Sequence, residues 1–308
     1  MSSDVAALYE RLIERDLDSI PAAVRTFRES HSSDDLFLAV ARFAILSYAP
    51  SQHAKHAVLA TLSAHQLREA YGDRWDDLLA ECARYAAESR QPWSEPPILE
   101  PPAIDRDQRR DIEALREAVT TRDRLAAERW LASRLDDEDL FRDLLLVASD
   151  DFEDFGHKVI VTAAAWRLAG ILGEKGRYAA LRVAVWEITS YSGERYVERR
   201  ADVSNLRQRL IDNAMAEKGS IESMHLVFLY EAARDTPVFA RVCDYLCSGA
   251  LQRADSGLKP AATQPPIYRL ARDYAQCLKA YAIGDDRLKA AAIDNLEHAP
   301  SFADWTFA

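Results

Sequence analysis

Residues 32–67 read SSDDLFLAVARFAILSYAPSQHAKHAVLATLSAHQL, and this stretch decides the fold class. Its apolar residues recur every three to four positions on both sides of a turn-like SYAPSQ segment, which is the spacing of two amphipathic helices. The same periodicity returns in KVIVTAAAWRLAGIL (158–172) and MHLVFLYEAA (224–233), while alternating, strand-like segments are essentially absent. The sequence therefore predicts an all-α protein.

A second copy of this stretch occurs further along the chain. LDDEDLFRDLLLVASDDFEDFGHKVIVTAAAWRLAGIL (135–172) aligns with it, and Phe37 and His53 are 16 positions apart, as are Phe141 and His157. The similarity continues into the segments that precede and follow each copy. We expect these duplicated multi-helix units to stack their apolar faces into one helical domain, either superhelical or bundle-like.

Two proline-rich breaks divide the chain. SRQPWSEPPILEPPAID (89–105) contains five prolines, which forbid a continuous helix, and SGLKPAATQPPIY (256–268) contains a second proline pair. Breaks of this kind separate helical units. We therefore expect a first helical repeat unit at 1–90, a proline-rich linker or strap at 91–108, a second repeat unit at 109–200 and a C-terminal helical unit at 201–308.

The charge balance and the hydropathy exclude several kinds of partner. Lys and Arg number 39 against 50 Asp and Glu, so the formal net charge is -11 and the average surface repels phosphate backbones. No segment approaches the roughly 18 apolar residues of a membrane-spanning helix, and the first residues lack the apolar core of a secretory signal. The four cysteines form no CxxC pair. We expect a cytoplasmic protein with no nucleic-acid or membrane partner.

Histidines near helix starts are the main functional signal in the sequence. The candidates for catalysis are His53, His56, His157 and His225. The positive end of a helix dipole holds a histidine at the N-terminus neutral, so that its imidazole can act as a general base near pH 7. The plainer interpretation is that each imidazole bonds backbone or solvent at a helix end, and the spacing does not decide between the two.

We assign no residue as a metal ligand from the sequence. The paired Glu-x-x-His motifs of di-metal carboxylate sites and the HExxH motif do not occur, and no Asp or Glu lies within a turn of His53 or His56. Glycine-rich phosphate loops and GxSxG elbows are also missing, which argues against phosphoryl transfer and ordinary hydrolysis. A histidine-ligated metal or haem in the duplicated core is the weakest of three hypotheses.

Several of these segments together resemble the questin oxidase-like family. PSQHAKHAVLATLSAHQL and GHKVIVTAAAWRLAGIL are similar to two histidine-containing helices of that family, and LRVAVWEITSY follows at a similar distance. SIESMHLVFLYEAA and ARDYAQCLKAYAI are similar to later segments; in the last one Lys279 is kept, and Tyr274 or Ala275 stands where the family has a histidine. The likeness spans about residues 45 to 295.

The resemblance implies an oxidoreductase that opens a ring of a flat aromatic or polyketide-like substrate by Baeyer–Villiger-type oxygenation. It implies NADPH and oxygen as co-substrates, no tightly bound cofactor, and a pocket bounded by His53 or His56, His157 and His225. A neutral histidine there would be the general base. The residues that we expect to bind the substrate are cations for an oxyanion (Lys158, Arg167 and Lys279) and aromatic side chains for the pocket wall (Trp166, Trp186 and Tyr191).

The alternative is a non-catalytic helical-repeat scaffold. Such a protein would present a groove or an acidic face to a protein partner, with the aromatic side chains in the core. Under this hypothesis the four histidines lie apart and partly solvated. The arrangement of their side chains is therefore the observation that separates the two hypotheses.

Overall fold

The computed structural model of the protein describes residues 3–48, 52–89, 100–104, 107–215, 221–250 and 283–290. Within these ranges the regular secondary structure is entirely helical and contains no strand, which confirms the all-α fold class. Residues 100–104 of the first proline-rich break are not helical, and the second break lies outside the described residues. No helix in the described part of the chain is long and apolar enough to cross a membrane.

Backbone contacts divide the chain into two units. One comprises Met1–Ile98 together with Ala271–Ala308, and the other comprises Leu99–Leu270. This grouping divides the C-terminal unit that we expected at 201–308 between the two. Each unit contains one copy of the repeat found in the sequence.

The first unit is organised around one central helix. Its helices are α1 (Ser3–Glu14), α2 (Ile20–Arg28), α3 (Ser33–Leu46), α4 (Gln52–Gln66), the short α5 (Arg68–Tyr71) and α6 (Trp75–Ser89). Helix α6 packs against α1, α2, α3 and α4. The ring of Phe37 on α3 stacks on that of Trp75 on α6, with centroids 6.1 Å apart. Phe37, the first residue matched in the repeat, therefore belongs to the core of this unit.

The second unit repeats this order. Its first five helices are α7 (Ile112–Thr121), α8 (Arg124–Ala132), α9 (Leu140–Ala148), α10 (His157–Leu172) and α11 (Glu174–Ser190). Helix α11 packs against α7, α8, α9 and α10, as α6 packs against the four main helices before it. The same helix order and the same central position of the last helix are what a duplication requires.

Polar residues before several helices explain where they begin. The Ser32 hydroxyl accepts a hydrogen bond from the Asp35 N–H (3.1 Å), and the Asp35 carboxylate accepts one from the Ser32 N–H (3.0 Å), which is a capping box before α3. Asp111 and Asp123 cap α7 and α8 by accepting from the backbone N–H three residues further on. These caps satisfy N–H groups that have no partner inside the helix.

The described part of the second unit continues with α12 (Leu206–Met215), α13 (Ile221–Ala233) and α14 (Phe239–Tyr245), which runs into a short π-helix at Leu246–Ala250. Helix α13 packs against α10, α12 and α14, and also against the turn that precedes α10. Helix α10 is buried on nearly all sides at its first nine residues, as a helix that is apolar all round should be. This packing brings residues of α13 next to the start of α10.

Candidate functional site

The chain enters α10 through a turn of three successive residues with positive φ. Asp154 has φ 50°, Phe155 has φ 54° and Gly156 has φ 77°. A left-handed conformation costs a residue with a side chain about 1 to 2 kcal/mol, so the surrounding structure must hold Asp154 and Phe155 in place. Strained backbone of this kind clusters at catalytic and ligand sites. The turn ends directly at His157.

Gly156 is required in this turn for two reasons. Its positive φ favours glycine, and a Cβ at this position would lie 2.6 Å from Cδ2 of Leu229 on α13. Leu229 is one helical turn after His225, so both side chains lie on the same face of α13. The contact at Gly156 therefore holds this face of α13 against the start of α10.

Replacing Gly156 with alanine is expected to lower the free energy of unfolding by about 2 to 4 kcal/mol, because the left-handed conformation and the collision with Leu229 both cost energy. Urea denaturation measures the loss. The matched control is Gly170→Ala in the same helix, where a Cβ would meet nothing within 4 Å. Alanine at Gly170 should stabilise the helix by up to about 1 kcal/mol. Equal effects of the two substitutions would contradict this account of the turn.

His157 and His225 form a buried pair at this junction. Their ring centroids are 4.6 Å apart with an interplanar angle of 73°, and a nitrogen atom of each lies within 4.8 Å of the other. Only 2% of His157 and 7% of His225 is exposed. The rings of Phe155 and Phe228 flank His225, with centroids 6.3 Å and 6.2 Å from it. The two imidazoles therefore meet in a largely apolar setting.

The turn also fixes the orientation of the His157 ring. Its Nδ1–H donates a short hydrogen bond to the backbone carbonyl of Asp154, and the Asp154 carboxylate lies 3.4 Å from the same nitrogen. A neutral imidazole that donates from Nδ1 carries its lone pair on Nε2. His157 is the first residue of α10, as predicted, whereas His225 lies one turn inside α13. The positive end of a helix dipole therefore acts on His157, whereas His225 lies beyond the first turn of its helix, where the effect has fallen off.

The residue after His157 forms a buried ion pair. The Lys158 ammonium is 2.7 Å from a carboxylate oxygen of Asp151, and the two side chains are 1% and 7% exposed. The same ammonium lies over the ring of Tyr191, 4.5 Å from its centroid. The positive charge of Lys158 is thus balanced by Asp151 and shared with an aromatic face.

The Tyr191 hydroxyl is the most unusual polar group of the site. Its oxygen is buried and makes no hydrogen bond within the described parts of the chain. Burial raises the pKa of this hydroxyl, and the carboxylates of Glu187, Asp154 and Asp151 raise it further. The group therefore keeps its proton and can donate a hydrogen bond to a bound molecule.

The segment after Tyr191 is fastened to the second unit by two aspartates. The Asp244 carboxylate accepts hydrogen bonds from the Tyr196 hydroxyl (2.7 Å) and from the backbone N–H groups of Arg199 (2.6 Å) and Ala201 (2.7 Å). The Tyr196 N–H donates to the carbonyl of Asp150 (2.7 Å). These bonds hold residues 196–201 against α14 and so limit where Tyr191 can lie.

Trp186, a predicted pocket residue, is engaged with α8. Its indole N–H donates a short hydrogen bond to Glu128, and the Arg182 guanidinium lies 4.0 Å from its ring centroid. Glu128 also accepts from the Tyr178 hydroxyl (2.7 Å) and from Arg182 (3.1 Å). This buried network joins α8 to α11 and so stabilises the packing of these two helices.

Two other predicted residues lie at the far end of α10. Trp166 stacks on Phe141, with centroids 4.7 Å apart, and Arg177 lies over its ring. At 1.5 Å per residue, Trp166 is about 14 Å along the helix from His157. Arg167 is exposed. The structure therefore places Lys158 directly after His157, with its ammonium over Tyr191, and places Trp166 and Arg167 nine and ten residues along α10 from His157.

The remaining predicted residues belong to the first unit. His56 is buried, at 4% exposure, and so is the neighbouring Lys55. His53 lies in the first turn of α4, with a side chain outside the described part, and Lys279 falls outside the described residues altogether. The expectation that His53 or His56 joins the other two histidines stays a prediction.

Three acidic residues of the site were not among the predicted ones. Asp151 pairs with Lys158, Asp154 orients His157, and Glu187 is buried close enough to raise the pKa of Tyr191. The acidic, turn-like segment SDDFEDFG before His157 is the only signal in the sequence that could have pointed to the first two. Their pairing depends on the fold of the turn, which the sequence does not reveal.

The site thus offers two imidazole nitrogens, a balanced lysine and a protonated phenol in a buried position. This set can take up a proton, donate a hydrogen bond to an oxyanion or ligate a metal ion. Comparison of the chain with protein-family models, with curated proteins and with solved structures finds no match, so the resemblance to the questin oxidase-like family stays a prediction.

Proposed function

We propose that the protein is an oxidoreductase of the questin oxidase type, which oxygenates a flat aromatic or polyketide-like substrate with a histidine as general base. The observation that carries the proposal is the buried pair of His157 and His225 at the end of a strained turn. Burying two polar rings and holding Asp154 and Phe155 at positive φ both cost stability. Such costs are typical of sites that a function maintains.

The proposed reaction consumes NADPH and oxygen. One oxygen atom of O₂ is inserted between a carbonyl carbon and the adjacent ring carbon, so that a cyclic ketone becomes a lactone. The other oxygen atom leaves as water, for which NADPH supplies a hydride and the solvent a proton. Product, oxidised NADP and water are therefore formed in equal amounts.

The residues around the pair have complementary roles in this proposal. Nε2 of His157 takes a proton from a substrate phenol or from a hydroperoxide, and Asp154 stabilises the imidazolium that results. The Tyr191 hydroxyl donates a hydrogen bond to the oxyanion that forms on the substrate. Lys158 is a positioning residue here, because its charge is balanced by Asp151 and its ammonium holds the ring of Tyr191.

The purified protein is expected to bind anthraquinone-type ligands and to oxidise NADPH only when such a substrate and oxygen are both present. Binding is followed by tryptophan fluorescence, and turnover by NADPH absorbance together with an oxygen electrode. The two consumptions should match mole for mole. A panel of anthraquinones and related polyketides that changes neither fluorescence nor NADPH consumption would remove the oxygenase from consideration.

A non-catalytic scaffold remains the second candidate, because the two units repeat the same helix order and helical repeats commonly bind proteins. Under this hypothesis the acidic chain would bind a protein partner through a surface. Since His157 and His225 are buried next to each other and not apart and partly solvated, they would then serve packing alone. The scaffold would be favoured by one partner recovered in a stoichiometric complex that forms equally well with the wild type and with His157→Asn.

A further inference from the structure

The histidine pair has the geometry of two ligands to one metal ion. His157 begins α10 and His225 lies on α13, yet a nitrogen atom of each lies within 4.8 Å of the other. Metal–imidazole bonds are about 2.0 to 2.1 Å long, so two nitrogens on one ion lie at most about 4 Å apart. The two nitrogens therefore have to approach each other by at most about 0.8 Å for both to reach one ion.

The surroundings of His157 match those of a metal ligand. A ligating histidine almost always donates its other ring N–H to a backbone carbonyl or a carboxylate, which fixes the tautomer and directs the lone pair at the metal. The carbonyl of Asp154 accepts from Nδ1 of His157, and the Asp154 carboxylate lies 3.4 Å from that nitrogen. Nε2 is therefore the ligand atom, and the strained turn is what orients it.

The charges near the pair favour a cation. The buried ammonium of Lys158, the residue after His157, is neutralised by Asp151, while the Asp154 carboxylate lies 3.4 Å from Nδ1 of His157. The rings of Phe155 and Phe228 cover parts of His225. A positive ion at the two nitrogens would thus be attracted by Asp154 in an otherwise apolar setting.

We propose that His157 and His225 bind one divalent transition-metal ion of the zinc, iron or cobalt type through one ring nitrogen each. Imidazole nitrogens suit these ions, whereas Mg²⁺ and Ca²⁺ prefer oxygen ligands. Two protein nitrogens leave coordination positions for other ligands, among them water or a substrate oxygen, and an open position is what a catalytic metal site keeps. The inference concerns the same histidine pair as the proposed enzyme but does not depend on the oxygenation reaction. The two roles of Nε2 of His157 exclude each other at any one moment, because a nitrogen that binds an ion cannot take a proton.

The test uses the full-length, tag-free protein, stripped of metal with a chelator and then titrated with ZnCl₂ or CoCl₂ in a calorimeter. We expect one equivalent to bind to the wild type, visible d–d absorption with Co²⁺, and no heat with MgCl₂. His157→Asn and His225→Gln should each weaken binding at least 10-fold, since loss of even an outer-shell partner costs about 10- to 100-fold. His31→Gln, at a partly exposed histidine of the first unit, should bind like the wild type.

Urea denaturation with and without ZnCl₂ tests the same point. Zinc bound to the native histidine pair should raise the free energy of unfolding of the wild type and of His31→Gln, and should have a smaller effect on His157→Asn and His225→Gln. Equal binding by the wild type and both variants, or an equal effect of zinc on the stability of all four proteins, would overturn the inference. If the metal-free protein turns over substrate and zinc does not bind, the metal site is rejected and the oxygenase is kept. If zinc binds and no substrate is turned over, the metal site is kept and the oxygenase is rejected.

Discussion

Replacing His157 with asparagine is expected to lower kcat for NADPH- and oxygen-dependent turnover by about 100- to 10,000-fold, the usual contribution of a general base. The asparagine amide can stand where Nδ1 stands and donate to the carbonyl of Asp154, so the start of α10 is preserved. The variant has no basic nitrogen in the place of Nε2. The comparison therefore separates the chemical role of the imidazole from its structural role.

Steady-state kinetics over a range of pH measures this effect. The wild type should show the rise of kcat with pH that a histidine base produces, and His157→Asn should lose it. The matched control is His31→Gln, because His31 lies in the other unit, where its ring contacts Phe27, Ser30 and Asp4. A His157→Asn enzyme with a normal kcat and a normal pH profile would exclude His157 as the base.

Helical periodicity predicted the architecture because burial along each helix is decided by its own sequence. The segments at 158–172 and 224–233 are helical, as α10 and α13, and the break before His157 is a turn. The two copies of the repeat also yield the same order of helices around a central one. These features follow from the spacing of apolar residues and from local caps such as Ser32.

The details of the site could not be predicted in this way, because they depend on contacts between distant residues. Nothing in the sequence indicates that Asp154 and Phe155 adopt positive φ, since both residue types usually avoid it. The aromatic residues near the histidines suggested a pocket wall, yet Trp186 bonds to Glu128, 58 positions away in the chain. Periodicity shows that a side chain is buried but does not identify its neighbour.

The contact partner of Lys158 could not be predicted from the sequence either. Its position at the start of an apolar helix suggested a cation that meets an oxyanion, or a solvated helix end. The structure shows a third situation, in which Asp151 neutralises a lysine that is 1% exposed. Seven positions and an irregular turn separate the two residues, so no helical spacing rule relates them. Removal of one partner of this ion pair should therefore destabilise the second unit by a large and measurable amount.

Replacing Asp151 with asparagine is expected to lower the free energy of unfolding by about 3 to 5 kcal/mol, because it leaves the buried ammonium of Lys158 without its counter-charge. The asparagine oxygen can still accept the hydrogen bond that Asp151 Oδ1 takes from the Glu153 N–H (3.2 Å). The backbone contact is therefore kept, whereas the charge and the acceptor of the Lys158 hydrogen bond are both lost. Chemical denaturation, with the slope checked against the wild type, measures the change.

Lys158→Met, alone and combined with Asp151→Asn, completes a double-mutant cycle for this pair. The double variant should be less destabilised than the sum of the single ones, with a coupling of about 0.5 to 3 kcal/mol, because it leaves no buried charge unpaired. The control is Asp34→Asn at the Arg68–Asp34 pair, whose side chains are both 51% exposed. Loss of that exposed pair should cost less than about 1 kcal/mol. This account would be contradicted if the losses of unfolding free energy at Asp151 and Lys158 were simply additive. It would also be contradicted if Asp151→Asn and Asp34→Asn cost the same, because burial would then not determine the strength of the Lys158–Asp151 pair.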